Sequence, residues 1–284
     1  MYEVSAMNES LSRRDFQQLS SFIYNNLGIK MPETKSTMLT GRLSKRLREL
    51  SLTSFSEYCD FLFSAEGQES EMVHLINVIT TNKTDFFREP SHFSYLTDKA
   101  LPTLQSGQSF NGRNSFKIWS AGCSTGEEPY TLAMVLAEVQ TAQPGFTYDI
   151  LATDVSSQVL KVALRAVYPT RLIDPIALQY RKKYLLKGKD KKNPQVRIVP
   201  ELRKRIRFGR LNFMDDDFGL PEKVDIIFCR NVIIYFDKQT QEKLMLKFCR
   251  YLKKGGYLFL GHSESLHGYN TPLVQVAPTI YRNI

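Results

Sequence analysis

Cysteine and tryptophan are scarce in this sequence. Its 284 residues include four cysteines, Cys59, Cys123, Cys229 and Cys249, and one tryptophan. The cysteines are scattered, form no C-x-x-C pair and have no histidine at metal-ligand spacing. Neither a zinc site nor a disulfide framework is indicated, no metal is expected, and a reducing cytoplasm is the expected compartment. Long apolar runs are missing too. No window approaches the roughly 18 uncharged apolar residues of a membrane span, so no membrane insertion is expected. The opening MYEVSAMNESLSRRDF has no apolar core of the kind a secretory signal needs. Internal repeats and long low-complexity tracts are likewise absent. What remains is 42% hydrophobic and 24% charged, an ordinary globular composition. The length suits about two domains and a substantial core.

Acidic residues are the minority, 29 against 38 Lys and Arg, for a net charge of +9. The excess is local. Residues 181–210 hold thirteen Lys and Arg against two Asp and Glu, which exceeds the whole net charge, so the rest of the chain is near balance. Such an imbalance bears on partners and not on fold. Nucleic acid, anionic lipid and acidic protein surfaces are all compatible with it.

The first ninety residues read as helical. Leu19, Phe22, Ile23 and Leu27 fall at helical spacing before a stop at Gly28. Leu39, Leu43, Leu47 and Leu50 make a second stripe; Phe55, Tyr58, Cys59, Leu62 and Phe63 a third; Met72, Leu75, Ile76 and Ile79 a fourth. After Pro90 comes a helix-like segment with Phe93, Leu96, Leu101 and Leu104. The polar run QSGQSFNGRNS (105–115) reads as a loop or linker. Beyond it strands and helices alternate: FKIWSAG, helix PYTLAMVLAEV, strand YDILATD, helix VSSQVLKVALRAV, strand VDIIFCRN, helix TQEKLMLKFCRYLKKGG ended by glycine, and strand YLFLG. This alternation predicts a parallel sheet covered by helices on both faces, with ligands bound at the carboxyl ends of its strands. Between Val167 and Leu211 there are too many residues for one crossover. The short segments Val196–Val199 and Ile206–Phe208 predict a small antiparallel β insertion. The expected division is a helical domain over 1–90 and an α/β domain over 91–284, with the insertion at about 176–208.

Four stretches carry residues suited to chemistry. SAGCSTGEE (120–128) sits between a strand and a helix, where glycines allow close approach of a ligand and a helix start offers free N–H groups. Its spacing is not G-x-G-x-x-G, and Glu127 and Glu128 stand where they would repel a pyrophosphate. A cofactor with positive groups and no phosphate suits such a loop; S-adenosylmethionine carries a sulfonium and an ammonium. An ordinary βα turn capped by Ser or Thr is equally compatible. Asp154 ends the second strand, where an acid commonly accepts the ribose hydroxyls of an adenosine; a helix N-cap is the alternative. VDIIFCRNVIIYF delivers Asn231 and then Tyr235 to the cleft, although Tyr235 and Phe236 also suit a core. TTNKTDFFREP (80–90) joins the helical and α/β parts. Its Asn82, Thr84 and Arg88 suit a cleft between domains, and a capped helix with a buried Phe pair fits as well.

Taken in order, TTNKTDFFREP, IWSAGCSTGEEPYTLAM, LATDVS, GRLNFMD, IIFCRNVIIYF and LKKGGYLFLGHSES give the chain a close resemblance to the CheR family, the glutamate O-methyltransferases of chemotaxis receptors, and to its enteric type most. The resemblance runs from about Leu11 to the C-terminus, and every motif is intact. It implies a helical N-terminal domain and a Rossmann-like class I methyltransferase domain with an inserted antiparallel β subdomain. It implies S-adenosylmethionine as cofactor and S-adenosylhomocysteine as product. It further implies cofactor contacts from Asn82, Thr84, Arg88, Glu128, Asp154, Asn212, Phe213, Arg230 and Asn231, and a place near the transferred methyl for Tyr235. Arg88 is expected to serve the cofactor carboxylate.

The same resemblance gives the basic regions a purpose. Arg42, Lys45 and Arg46, with Arg48, lie mostly off the leucine stripe of their helix. They are expected to meet the acidic face of the cytoplasmic helical bundle of the receptor; a solvated charged face is the alternative. The β insertion is expected to capture the receptor C-terminal peptide by strand addition, with Arg197 among the arginines that hold its acidic groups. A cytoplasmic monomer is expected. Three other readings compete. An RNA methyltransferase accounts for the charge, but no aromatic platform is interleaved with the basic residues, so no nucleic acid partner is expected. A dehydrogenase is opposed by Glu127 and Glu128. A cofactor-sensing adaptor would bind S-adenosylmethionine without turning it over.

Overall fold

A computed structural model of the chain describes residues 10–106 and 115–284. The polar run read as a linker lies, from 107 to 114, outside the described residues. The chain forms two compact units. One ends at Thr81 and adds Tyr235–Asp237; the other comprises Asn82–Ile234 and Lys238–Ile284. The first boundary therefore falls ahead of the TTNKTDFFREP motif's functional residues, not at residue 90. Among the described residues no helix is long and apolar enough to cross a membrane.

The first unit is built from α1 (Arg13–Leu27), α2 (Ser36–Glu49), α3 (Phe55–Phe63), α4 (Ala65–Ser70) and α5 (Met72–Ile79). Local chemistry sets their ends. Ser12 caps α1 by accepting the Asp15 N–H, and Gly28 closes it at φ 69°, a left-handed turn that costs glycine nothing. Ser54 and Ser64 cap α3 and α4 in the same way as Ser12. The apolar stripes bury Leu19, Ile23, Leu39, Leu43, Leu47, Leu62, Leu75 and Ile76. Leu50 falls outside: α2 stops at Glu49 and leaves Leu50 half-buried as its C-cap. Glu71 is buried at 1% exposure. Its carboxylate is met by Arg46, with Nη2 2.6 Å and Nε 2.9 Å away, and by the Tyr58 hydroxyl at 3.1 Å. The Arg42 Nη1 donates to the carbonyls of Val78, Ile79 and Thr80, closing the last turn of α5. The basic face expected on α2 is corrected accordingly. Arg46 and Arg42 are engaged inside the unit, because a buried carboxylate and a row of orphan carbonyls both need donors. Lys45 and Arg48 remain exposed.

The second unit holds a seven-stranded sheet made of β1 (Ser115–Ala121), β2 (Thr147–Asp154), β6 (Ile206–Arg210), β7 (Val224–Cys229), β8 (Leu252–Leu260), β9 (Leu273–Ala277) and β10 (Ile280–Asn283). Its order is β6-β2-β1-β7-β8-β10-β9. The first five run parallel, while β10 and β9 close the edge antiparallel. The unit opens with the short helices α6 (Ser91–Tyr95) and α7 (Leu101–Ser106), and α8 (Glu127–Ala142), α9 (Ser157–Arg165) and α12 (Lys238–Tyr251) flank the strands. The strand β7 is buried at every position, as a strand covered on both faces should be. The single tryptophan, Trp119, is fully buried in β1 and its indole N–H donates to Thr153 Oγ1 at 2.9 Å. A smaller sheet has the order β3-β5-β4, from Val167–Pro169, Gln195–Ile198 and Leu185–Lys187, with the short helices α10 (Leu178–Tyr184) and α11 (Pro200–Arg203) around it.

Two expectations are corrected here. Ile206–Phe208 does not belong to the insertion: β6 pairs parallel with β2 in the main sheet, starting at Ile150 against Ile206. The glycines of LKKGG do not end α12, which stops at Tyr251; β8 begins at once. Lys253–Gly256 form a bulge opposite Asp225, with Gly255 at φ 82°. A side chain at Gly256 would come within 2.7 Å of the Asp225 carbonyl. The β9–β10 hairpin was not read at all, since its alternation is weak beside that of the central strands.

Candidate active site

The turn after β1 is shaped by two glycines. Gly122 has φ 82° and Gly126 has φ 99°. A Cβ at Gly122 would meet Val232 Cγ2 at 2.6 Å, and one at Gly126 would meet the Ala163 Cβ and Tyr168 hydroxyl at 2.9 Å. Both positions therefore require glycine twice over, by backbone and by space. Four amides of this turn are already engaged. Gly122 and Cys123 N–H donate to the Thr153 carbonyl at 2.8 and 2.9 Å, Ser124 N–H to Asp154 Oδ2 at 2.9 Å, and Gly126 N–H to the Cys123 carbonyl at 3.1 Å. A phosphate needs a row of free N–H groups, and four of this turn's are already taken. The helix start is Gly126 without a side-chain cap, so the Ser- or Thr-capped turn is not what forms.

Asp154 sits at the carboxyl end of β2. Its Oδ2 accepts from Ser124 N–H and its Oδ1 from Ser156 N–H, each at 2.9 Å. Burial raises its pKa, and the N–H groups of Ser156, Ser124 and Val155 oppose that rise. Asp154 is not the cap of α9; Ser156 is, accepting from Val159 N–H. A carboxylate has about four acceptor sites, so both oxygens retain capacity for a pair of hydroxyls.

A buried ionic cluster stands beside the turn. Arg230 Nε donates to Glu128 Oε2 at 2.8 Å, and the Ser120 hydroxyl donates to Glu128 Oε1 at 2.7 Å. The side chains of Arg230 and Glu128 are 3% and 10% exposed, so each charge depends on the other. Arg230 Nη1 also donates to the Arg88 carbonyl at 2.8 Å and lies 3.7 Å from Glu89 Oε2. Burial and the adjacent guanidinium push the His92 pKa down to about 4, which leaves a neutral ring bonded to Thr279 Oγ1 at 2.9 Å. Burial works against the charge on Glu89, but the His262 N–H and Arg230 outweigh it and hold that carboxyl below its ordinary range. Glu89, His92 and His262 bring ligand atoms within 4.8 Å of one another; Arg230 supplies the cation next to them.

Asn231 has φ 59°, an uncommon conformation that tolerates Asn. Glu264 holds it there. Its buried carboxylate accepts the N–H groups of Gly261, Asn231 and Ile233 at 2.6, 2.9 and 2.9 Å, while burial raises its pKa. Reading single residues missed Glu264, although it lies within LKKGGYLFLGHSES; an acid directly after a buried strand and a glycine was the available signal. Ser124 Oγ donates to the Asn82 carbonyl at 2.9 Å and ties the 82–90 segment to the turn. That segment is not a capped helix: Phe87 and Glu89 both have positive φ. Phe86 is buried edge-on to Tyr168. Arg88 Nη1 donates to the Lys83 carbonyl at 3.1 Å, and Thr84 is half-buried. Leu211 N–H donates to the Asp154 carbonyl, which brings Asn212 and Phe213 to the same strand ends. Thus the nine expected cofactor residues all belong to one unit, where Arg230 bonds both Glu128 and the Arg88 carbonyl, and Ser124 bonds both Asp154 and the Asn82 carbonyl. Tyr235 belongs to the other unit, where its carbonyl accepts Lys30 N–H. Arg197 is exposed on β5.

Glycine positions closed to side chains, amides withheld from phosphate and buried acids at the strand ends fit a nucleoside that carries positive charge. Strand order and site together define a Rossmann-like methyltransferase domain. Residues 82–281 match the family model described as CheR methyltransferase, SAM binding domain, and residues 14–80 match CheR methyltransferase, all-alpha domain. The chain is 41% identical over 278 residues to a chemotaxis protein methyltransferase of Borreliella burgdorferi, covering 97% of this chain and 96% of that one. It is 37% identical to chemotaxis protein methyltransferase 2 of Pseudomonas aeruginosa, covering 95% and 93%, and 36% identical to the Escherichia coli chemotaxis protein methyltransferase, covering 96% and 91%. The chain belongs to the CheR methyltransferase family and is an S-adenosylmethionine-dependent methyltransferase.

Proposed function

We propose that the protein methylates glutamate side-chain carboxylates of chemotaxis receptors, giving glutamate methyl esters and S-adenosylhomocysteine and so serving sensory adaptation. The observation that carries this is the acid-lined turn at 122–128, four of whose amides are already bonded within the protein, in a chain that matches chemotaxis methyltransferases almost end to end. Bound S-adenosylmethionine supplies an electrophilic methyl carbon on a cationic sulfur. Asp154 accepts the ribose hydroxyls. Arg88 receives the cofactor carboxylate, and Asn82, Thr84, Asn212, Phe213 and Asn231 line the adenosyl and amino acid parts. Glu128 and Arg230, bonded to each other, brace that wall.

A glutamate carboxylate has a reference pKa near 4.3 and is already the anionic nucleophile at pH 7. No general base is needed. Charge is neutralised on the way to the transition state, so a strong ion pair to the substrate would hold the ground state back. A neutral hydrogen bond from the Tyr235 hydroxyl orients the carboxylate without that penalty, and alignment with exclusion of water supplies the rest. In Tyr235→Phe, turnover on receptor membranes should fall about tenfold or more, with affinity for S-adenosylhomocysteine unchanged. The test of the function itself uses methyl-labelled cofactor and receptor membranes. Label incorporated as an ester is released as methanol by mild alkali; alkali-stable label, or label on RNA in its place, overturns the reading.

Two docking surfaces belong to the same proposal, for a monomer acting in the cytoplasm. The exposed Lys45 and Arg48 of α2 face the acidic helical bundle of the receptor, with Arg42 and Arg46 holding that helix in place. The outer edge of β4, with Leu186 49% exposed, takes the receptor C-terminal peptide as an added strand, and Arg197 holds an acidic group of it. Such a tether raises local substrate concentration without touching chemistry. Arg197→Glu should weaken binding of a tail peptide about tenfold and leave kcat on a tail-free receptor fragment unaltered; an unchanged peptide affinity removes Arg197 from that surface.

A further inference from the structure

Two carboxylates and one guanidinium leave the buried cluster beside the turn one positive charge short. Glu89 and Glu128 both face Arg230. Both oxygens of Glu128 are bonded, one by Arg230 Nε and the other by the Ser120 hydroxyl. Glu89 is met on one side. Its Oε1 accepts the His262 N–H at 3.2 Å and the Asn231 side-chain amide at 3.4 Å. Its Oε2 is buried and accepts no hydrogen bond from any described residue, and the side chain as a whole is 10% exposed. Arg230 Nη1 stands 3.7 Å from that oxygen and donates instead to the Arg88 carbonyl at 2.8 Å. A buried carboxylate oxygen without a donor is costly and calls for an ion or a water.

Imidazoles complete the surroundings of this oxygen. His92, on α6, places Nδ1 3.4 Å from Glu89 Oε2. Two ligand atoms bound to one tetrahedral zinc ion at about 2.0–2.1 Å are separated by roughly the same distance. The neighbours fix the tautomer of His92. Arg230 Nη1 is a donor and lies 3.3 Å from Nδ1, so Nδ1 presents its lone pair, and Nε2–H donates to Thr279 Oγ1 at 2.9 Å. Lone pairs on Nδ1 and Oε2 therefore face each other, an arrangement that a cation relieves. Metal-ligating histidines hold their other N–H in an outer bond of the kind made to Thr279. His262, exposed after β8 and edge-on to the His92 ring, brings a third ligand atom, with all three within 4.8 Å of one another. An exposed side chain closes the remaining gap by changing rotamer.

We propose that Glu89, His92 and His262 form a zinc site that opposes cofactor binding. Two imidazoles and one carboxylate, with a position left for water, are the donor set of open zinc sites, and a hard ion such as Mg2+ is poorly served by nitrogen. The three ligands come from a loop, a short helix and the far end of β8, so no spacing in the sequence shows them. The nearby Arg230 guanidinium, neutralised by Glu128, keeps the zinc weaker than a structural ion and so exchangeable. The site stands on these side chains alone, whereas the opposition rests on the cofactor placement by Arg88 and Asn231 proposed above. Glu89 follows Arg88 in the chain and its Oε1 accepts from Asn231. A dication on Oε2 adds positive charge to a wall that receives a sulfonium.

The test titrates zinc chloride into the full chain by calorimetry without cofactor. One ion per chain with a Kd of about 1 μM is expected, undisturbed by millimolar Mg2+. His262→Ala removes an exposed ring, so the fold is kept, and should weaken zinc binding about a hundredfold or more; Thr279→Val should weaken it about tenfold. Saturating zinc should lower S-adenosylmethionine affinity about tenfold and that of S-adenosylhomocysteine, which lacks the sulfonium charge, about threefold or less. Chelation should restore both, and His262→Ala should show neither loss. X-ray absorption should show nitrogen and oxygen ligands alone. Zinc uptake weaker than about 100 μM, an unchanged Kd in His262→Ala, or a sulfur ligand each overturns the site. Zinc held by these residues with S-adenosylmethionine affinity unchanged overturns the opposition; the cofactor placement falls with it if Asp154→Asn also leaves affinity unchanged, and stands if it does not.

Discussion

Asp154→Asn is expected to weaken S-adenosylhomocysteine binding by about a hundredfold or more. The carboxylate does two jobs that an amide does not do together. It accepts from two backbone amides, Ser124 and Ser156, one on each oxygen, and it keeps acceptor capacity for a pair of ribose hydroxyls. Asn offers one acceptor oxygen and places an NH2 opposite one of the amides. Hydrogen bonds to a charged group contribute about 1.5–3 kcal/mol each, and losing two of them gives the stated factor. Acidification should mimic the substitution. The pKa of Asp154 is raised by burial, so the carboxyl takes up its proton at a higher pH than an ordinary aspartate, and cofactor affinity falls as pH drops through that raised value. Folding linkage has the opposite sign: a carboxyl with a raised pKa favours the folded state at low pH and loses that contribution as pH rises. Binding and stability should thus diverge on acidification. Calorimetry with parallel thermal melts checks this, and an affinity within about threefold of the parent protein removes Asp154 from the cofactor site.

Glu128→Ala is the second large effect, and it is expected on stability. The Arg230 guanidinium is almost wholly buried and takes its closest charged partner from Glu128 at 2.8 Å, with Glu89 more distant at 3.7 Å. Removing one member of a buried pair leaves an uncompensated charge and typically costs about 3–5 kcal/mol. For a chain of this length that corresponds to a Tm lower by roughly 10 °C. Replacing both residues, as Glu128→Met with Arg230→Leu, should recover most of the loss, since no charge is then left in the interior. A melt of Glu128→Ala within about 2 °C of the parent would show that the pair is solvated or otherwise compensated. The double variant also separates two roles: stability regained without cofactor affinity means that the pair shapes the pocket as well as filling it.

Much of this was legible in the sequence because it is local. Helical stripes, the glycine-bounded turn at 122–128 and the acid ending YDILATD are each read within a window of one element, and all stand where the pattern puts them. The misreadings share a cause. Ile206–Phe208 alternates as a strand must, but alternation reports which face is buried and not which strand lies alongside. Arg42 and Arg46 look like solvated charges by spacing, because Glu71 and the carbonyls after Val78 lie on another helix. Glu264 stands out in no local pattern; its three amide partners, on Gly261, Asn231 and Ile233, come from the ends of two strands.

The order of the helical stripes and of the central strands, the glycines that the turn demands and the acids that favour a cationic nucleoside are all written locally, since each follows from the chemistry of neighbouring residues. Tertiary structure alone decided that β6 joins the main sheet, that Arg230 is neutralised by Glu128 across more than a hundred residues, and that the Tyr235 segment is tied to α1. Those outcomes depend on which buried groups meet across the fold, and a buried charge or an unpaired backbone group is satisfied only by a partner that arrives from elsewhere in the chain.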